Sequence, residues 1–256
     1  MFLRSRLSNM KKIILTLLFA AGVLSAGAWN KISYPALVSL TAKHLTAETA
    51  GAMKSVLGGD LAASKIVAQP LCLLYLNEEY VPMAEGERDA LATAKMALER
   101  LKSDKNDAEA LSLLARAVVD MHGVANVRIE GNSLSDGAFT VRRWNNRNGK
   151  MARYKDCTWK FLWNSYYAYR REIFTSELYA EDIDIFHRSR LDEFKKGSID
   201  DWAADMAAEI KVIYSRNLTD NYILRQEDVN HLEYTHDRLF AKAAYRLAAL
   251  LNEIYR

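Results

Sequence analysis

The sequence predicts a mostly α-helical protein, a compact multi-helix domain with one small β-hairpin. Its 256 residues include only 3 Pro and 11 Gly, too few for the many tight turns of an all-β sandwich or barrel. Apolar residues recur at helical spacing along most of the chain. The 5 Trp, 13 Tyr and 8 Phe are sufficient for a sizeable core, and they exclude a disordered chain.

Residues 1–28 have the pattern of an export signal. A basic pair, Lys11-Lys12, precedes the apolar run Ile13 to Leu24, and Ala26-Gly27-Ala28 forms a small-x-small cleavage site. The apolar run is shorter than a membrane-spanning helix requires. We therefore expect a periplasmic or extracellular protein that has no stable membrane anchor after cleavage.

Cleavage would leave residues 29–256 as a single domain and would change the charge balance. The signal contains four basic residues and no acidic ones, so 31 basic and 32 acidic side chains remain, a net charge of about −1. Global charge thus gives no reason to expect nucleic-acid binding. Three points stay open: whether Met1 or Met10 is the start, whether Cys72 and Cys157 pair, and the oligomeric state.

The first half of the mature chain is predicted to form four helices. The first runs from Pro35 to Leu45, and Thr46 caps a second that ends at Leu57 before Gly58-Gly59. Residues 60–86 are less periodic. Two apolar stripes predict the next two helices: Ala90, Leu91, Ala94, Ala97, Leu98 and Leu101 for one, and Leu111, Leu114, Ala117, Val118 and Met121 for the other.

The second half is predicted to begin with the hairpin and to continue as helices. The hairpin strands are Val127–Ile129 and Phe139–Trp144, with turn residues after each, and they form the only β-like segment in the sequence. Ser198-Ile-Asp-Asp201 is a capping-box variant at the start of one of the later helices. The helices after the hairpin are expected at 152–175, 178–195, 198–214 and 228–255.

Several short blocks, spread from Trp29 to Tyr255, carry a specific resemblance. They are Trp29-Asn-Lys-Ile-Ser-Tyr34, Ala42-Lys-His-Leu-Thr46, Leu73-Leu-Tyr-Leu-Asn77, Val119-Asp-Met-His122, Asp201-Trp-Ala203 with Glu209 and Tyr214, and Tyr245-Arg-Leu-Ala-Ala-Leu-Leu-Asn-Glu-Ile254. In order and spacing this set resembles the S-one/P-one type nucleases. These are zinc-dependent, single-strand-preferring enzymes related to bacterial phospholipase C.

The resemblance implies a helical nuclease-like fold and a cleft that holds three zinc ions. In the family, the free amine and carbonyl of the mature N-terminal Trp bind one ion, and cleavage before Trp29 would generate that amine. The ions lower the pKa of a bridging water and clamp the scissile phosphate. Of the metal ligands that the resemblance implies, this chain keeps only Trp29 and Asp120.

The remaining ligand positions carry residues that differ from the family's, and most of them bind zinc poorly or not at all. The family's ligands correspond here to Tyr34, Leu74, Arg116, Asn126, Asp156 and Lys160. Arginine and lysine cannot serve as metal donors. Both Arg116–Asp120 and Asp156–Lys160 have i, i+4 spacing, so we hypothesise that two ion pairs on helix faces replace the metal cluster.

Three functions follow from these residues. We favour a degenerate, catalytically inactive nuclease relative that needs no cofactor and binds nucleic acid or a phosphate-bearing small molecule. Its altered cleft would then be lined by Tyr34, Leu74, Arg116, His122, Asn126 and Lys160. A structural or partner-binding envelope protein is equally acceptable. The less favoured alternative is an active phosphodiesterase or nuclease that has fewer or different metals, with zinc as its cofactor, and that uses Trp29, Asp120, Asp136 and Asp156.

For several histidine and aromatic side chains we prefer a structural role to a functional one. His122 is expected to be packed and hydrogen-bonded, and His231 and His236 to be structural. The aromatic side chains could stack bases, but core packing is the more frequent role. They are Trp144, Trp159, Trp163, Tyr166, Tyr167 and Tyr169.

Overall fold

A computed structural model describes residues 32–84, 88–145, 153–170 and 175–256. The signal segment, Trp29 and most of the turn after Trp144 therefore lie outside the described residues. The side chains of Trp144 and Tyr169 also lie outside them. No helix in the described ranges has both the length and the apolar character needed to cross a membrane.

Helices dominate the structure. In chain order they are α1 Ser33–Lys43, α2 Ala47–Leu57, α3 Ala63–Val67, α4 Ala90–Ser103, α5 Ala108–Met121, α6 Trp159–Phe161, α7 Tyr167–Arg170, α8 Ser176–His187, α9 Leu191–Phe194, α10 Ile199–Tyr214 and α11 Gln226–Ile254. A π-helical segment, Leu162–Tyr166, joins α6 to α7. The mostly helical class predicted from the sequence is confirmed.

The predicted helix ends are explained by capping groups. The Thr46 hydroxyl accepts a hydrogen bond from Thr49 N at the start of α2, and Gly58 ends that helix with a left-handed φ of 64°. Ser198 and Asp201 form the predicted capping box at the start of α10. These local signals set helix boundaries because they satisfy backbone groups that the helix itself leaves unpaired.

The strands form two three-stranded sheets. They are β1 Leu74–Leu76, β2 Pro82–Met83, β3 Val127–Ile129, β4 Thr140–Asn145, β5 Arg153–Thr158 and β6 Tyr222–Leu224. The first sheet has the order β2-β1-β3 and the second β5-β4-β6. In each sheet the central strand has one antiparallel and one parallel neighbour.

The prediction of a single hairpin is therefore wrong, both in the number of sheets and in the pairing of the predicted strands. β3 and β4, the predicted partners, belong to different sheets, and β4 pairs with β5. The start of the helix predicted at 152–175 is wrong as well, because residues 153–158 form strand β5. Pairing with a distant strand, which local periodicity does not report, decides the conformation of such short segments.

Contacts among five helices position the central part of the molecule. α4 packs along α5, α1 contacts both α8 and α11, and α11 also contacts α5. α5 is buried over most of its length, including the polar residues Arg116 and Asp120. Its last turn thus lies in the interior, facing α1 and the segment that leads into β1.

Candidate functional site

Asp120, one of the two metal ligands that the resemblance implies, is fully buried near the end of α5. Its Oδ1 accepts a 2.6 Å hydrogen bond from the Tyr34 hydroxyl, and its Oδ2 accepts one of 2.9 Å from Cys72 N. Arg116, one helical turn earlier, forms a salt bridge with Oδ2 through Nε. We call Tyr34, Cys72 N, Arg116 and Asp120 the Asp120 cluster.

Burial and charge fix the protonation of the cluster. Burial, followed by the charge of Asp120, raises the pKa of Tyr34 well above its ordinary value, so the hydroxyl remains a donor. Burial and the same carboxylate raise the pKa of the Cys72 thiol to about 12. Burial raises the pKa of Asp120 above its ordinary value, and Arg116 and the hydrogen-bond donors around the carboxylate oppose this shift. A buried carboxylate is tolerated where a cation and several donors compensate it.

Arg116 is enclosed rather than presented to ligand. Its side chain is 4% exposed, and its guanidinium lies 5.3 Å from the centroid of the Tyr34 ring. NH1 makes a long contact of 3.4 Å to the carbonyl of Val67. The expectation that Arg116 lines an open cleft is therefore wrong, because its side chain is buried and paired with Asp120 inside the protein.

The residues at the implied metal positions do not suit zinc. Both oxygens of Asp120 accept hydrogen bonds, Arg116 is a cation, and Leu74 is an apolar side chain buried in β1. Asn126 donates to the carbonyl of Asp120 at 3.2 Å. Among the described residues, no group of three or more His, Cys, Asp or Glu could hold a metal ion.

The second predicted ion pair does not form. Asp156 lies on strand β5, where it pairs with Arg142 of β4 at 3.0 Å, and both side chains are about half exposed. Lys160 follows in α6 and has no ion pair with Asp156. The pairing assumed a helix through 156–160, and the strand-to-helix change at Thr158 places the two side chains apart.

The three acidic residues considered for catalysis are not equivalent in the structure. Asp120 is buried in its cluster, whereas Asp136 and Asp156 are exposed. Asp136 accepts a 2.8 Å hydrogen bond from Ala138 N and stabilises a turn. No described contact joins these carboxylates into a shared site.

His122, at the end of α5, belongs to a different buried network. Its Nδ1 lies 2.7 Å from the carbonyl of Val118, and its Nε2 lies 2.9 Å from Arg246 NH1. Since Arg246 can only donate, His122 is neutral and carries its proton on Nδ1. Burial and the charge of Arg246 lower its pKa to about 3, so it cannot act as a base near neutral pH.

Sequence reasoning missed the residues that surround His122. Asp205 of α10 accepts hydrogen bonds from Lys242 and, at 2.7 Å, from Arg246 of α11. Arg246 also donates to the carbonyl of Phe194 at 3.0 Å. The i, i+4 spacing of Lys242 and Arg246 was a usable signal for a charged stripe on α11.

The aromatic side chains described in α6, α7 and the π segment are core residues. Trp159, Trp163, Tyr166 and Tyr167 are all buried, and Trp159 stacks on Phe139. Their burial favours packing over base stacking. Both cysteines are free thiols, Cys72 buried and Cys157 partly buried, so the structure pairs neither of them.

Comparison with known protein families and with curated proteins finds no match for this chain.

Proposed function

We propose that the chain is an exported, catalytically inactive binding protein built on a nuclease-like helical scaffold. The Asp120 cluster is the observation that supports this proposal. A carboxylate that would have to bind a metal is instead committed to Tyr34, Cys72 N and Arg116. Withdrawing Asp120 from these partners to bind a metal would cost several kcal/mol, because the buried guanidinium of Arg116 would lose its counter-charge.

The two other functions make different demands on the same residues. An active phosphodiesterase with fewer metals requires Asp120 to leave its cluster, and it requires the exposed Asp136 or Asp156 to approach it. A structural or partner-binding envelope protein requires neither step. The burial of Arg116 and Asp120 therefore favours the two non-catalytic functions over the enzyme.

A cleavage assay separates these possibilities. The purified protein, with its N-terminus confirmed at Trp29, is incubated with single-stranded DNA or RNA and zinc, with and without chelator. We expect no cleavage above the level of an Asp120→Ala variant. Cleavage that chelator abolishes and that Asp120→Ala loses, but that Asp60→Ala, a variant of an exposed carboxylate outside the candidate set, retains, would establish the enzyme instead.

A further inference from the structure

A cavity of about 360 Å³ lies between α10 and α11, away from the Asp120 cluster. Binding sites for small molecules usually have volumes of about 300–1,000 Å³, so this cavity has room for a small ligand. Its lining combines charged side chains with an apolar wall. The charged residues are Glu209, Arg216 and Arg238, and the apolar wall includes Val212, Ile213 and Leu232.

Ion pairs connect the two sides of the cavity at both of its ends. At one end, Arg216 pairs with Asp228 of α11 at 3.0 Å. At the other, Arg238 of α11 pairs with Glu209 of α10 at 2.6 Å. Positions 209 and 216 are about 10 Å apart along a helix axis. The apolar wall lies between these two charged ends.

The ion pair at Glu209 is the last step of a ladder in which cations outnumber carboxylates. Arg238, Lys242 and Arg246 have i, i+4 spacing on α11, and Asp205 and Glu209 have the same spacing on α10. Asp205 pairs with Arg246 at 2.7 Å and with Lys242 at 2.8 Å. Glu209 pairs with Arg238, and Lys242 lies 3.7 Å from it. Three positive charges therefore meet two negative charges.

Two further carboxylates act on this ladder from the protein surface. Asp201 is exposed and accepts hydrogen bonds from Ser198 at the start of α10. Glu193 is also exposed and pairs with Arg190. Neither makes an ion pair with the ladder in the part of the chain that the structure describes, and solvent screens exposed charges. The ladder itself thus keeps one positive charge in excess.

The excess charge reaches the cavity at Arg238. The side chains of Lys242 and Arg246 are 9% and 6% exposed, whereas that of Arg238, which lines the cavity, is 24% exposed. Arg238 donates to Glu209 through NH2, and its buried Nε has no hydrogen-bond partner among the described residues. A buried donor without an acceptor is costly, so such a group commonly marks the position of a water or a ligand.

We propose that this cavity binds a small organic carboxylate, which Arg238 holds through Nε while the apolar body of the ligand lies against Val212, Ile213 and Leu232. A carboxylate accepts charge-assisted hydrogen bonds from a guanidinium, and its single charge balances the ladder. A phosphate monoester carries about −1.5 to −2 at neutral pH and would exceed that excess. The inference rests on the proposed binding function and gives it a ligand class.

Calorimetric titration of the purified, chelator-treated protein with cinnamate, and with its neutral analogue cinnamamide, tests the site. We expect saturable binding of cinnamate that is about 10-fold tighter than that of the amide, because only the carboxylate pairs with Arg238. Arg238→Gln should abolish this difference. Arg142→Gln is the matched control, since it removes a carboxylate-paired arginine of β4 that does not line the cavity, and it should keep the difference.

A second pair of variants leaves every ion pair intact. Ala208→Trp introduces bulk at an exposed position of α10 that lines the cavity, and Ala204→Trp adds the same bulk one turn earlier, outside the lining. The first should weaken cinnamate binding about 10-fold and the second should not change it.

Three results would overturn the site: no binding of cinnamate, equal affinities for cinnamate and cinnamamide, or equal effects of the two tryptophan variants. Zinc-dependent cleavage of nucleic acid would refute catalytic inactivity but would leave these titrations unaffected.

Discussion

At the residue scale, Asp120 is the side chain on which the account depends. Its two oxygens receive donors from three separate parts of the chain, namely α1, the segment before β1 and its own helix. A side chain with this many partners has a structural role that is independent of any ligand. The sequence suggested the Arg116–Asp120 pair from spacing alone, and this part of the hypothesis is confirmed.

Asp120→Asn is expected to destabilise the protein by about 3–5 kcal/mol, because Arg116 would remain buried without its counter-charge. Adding Arg116→Met should recover part of the loss, since the uncompensated cation disappears. Urea unfolding of both variants measures this, and Asp136→Asn serves as the exposed control, with a change within about 0.5 kcal/mol. A double variant no more stable than Asp120→Asn alone would contradict the assignment.

His122 makes stability depend on pH. Its pKa is about 3 in the folded protein and about 6.5 in an unfolded chain, so between these values the unfolded chain binds one more proton. The free energy of unfolding should therefore decrease as the pH falls from about 6.5 towards 3, by about 1.4 kcal/mol per pH unit from this group. At neutral pH and above, the contribution is fully present.

Unfolding curves between pH 4 and pH 7 test this dependence. His122→Asn should reduce the slope of stability against pH by about one proton, whereas Val212→Asn, at an exposed position of α10 that does not titrate, should leave it unchanged. The comparison removes the contribution of the carboxyl groups, which titrate in all three proteins. Equal slopes for the His122 variant and the unmodified protein would show that His122 takes up its proton in the folded state.

At the element scale, helix ends and the positions of β3 and β4 were predictable, but the pairing of the strands was not. Thr46, Gly58 and Ser198 act on backbone groups a few residues away, so their effect is visible in a short window of sequence. β5 depends on β4 as its partner, and β3 pairs with β1 more than 50 positions earlier. The Asp156–Lys160 pair failed for this reason, since its geometry assumed a helix across the end of β5.

Two glycine-to-alanine substitutions, one inside helix α2 and one at its C-terminal cap, test the role of backbone conformation at the helix end. A Cβ would meet no atom within 4 Å at either Gly51 or Gly58, but only Gly58 has a positive φ, 64°. Gly51→Ala inside the helix should stabilise the protein by about 0.5–1 kcal/mol. Gly58→Ala should destabilise it by about 1–2 kcal/mol. Thermal unfolding of the two variants checks the signs, and a shift in the same direction for both would contradict the role of Gly58.

At the scale of the whole molecule, the fold brings together residues that the sequence only aligned. Tyr34 and Asp120 are 86 positions apart, and their hydrogen bond requires α1 to pack beside the end of α5. The resemblance indicated that these two positions share a site. It did not indicate that the tyrosine hydroxyl donates a hydrogen bond to the carboxylate of Asp120. Lys160 was expected near Asp156, and its backbone N–H instead donates to the carbonyl of Gly137.

The reactivity of the two cysteine thiols shows whether this packing is intact. Both cysteines are free, and burial raises the pKa of each, that of Cys72 to about 12. Since only the thiolate reacts, Cys72 should resist a thiol reagent in the folded protein and react on unfolding. Quantitation with a chromogenic disulfide reagent, with and without urea, should find two thiols after unfolding. A protein without free thiols in urea would contradict the separate placement of the two cysteines.

Metal content decides whether Asp120 is a structural residue or a metal ligand. The purified protein, prepared without chelator and with its N-terminus verified at Trp29, is analysed for zinc by mass spectrometry. A structural Asp120 cluster predicts zinc well below one ion per chain and a melting temperature that added zinc or chelator does not change. Stoichiometric zinc, lost together with thermal stability on chelator treatment, would contradict it and would return Asp120 to the role of a metal ligand.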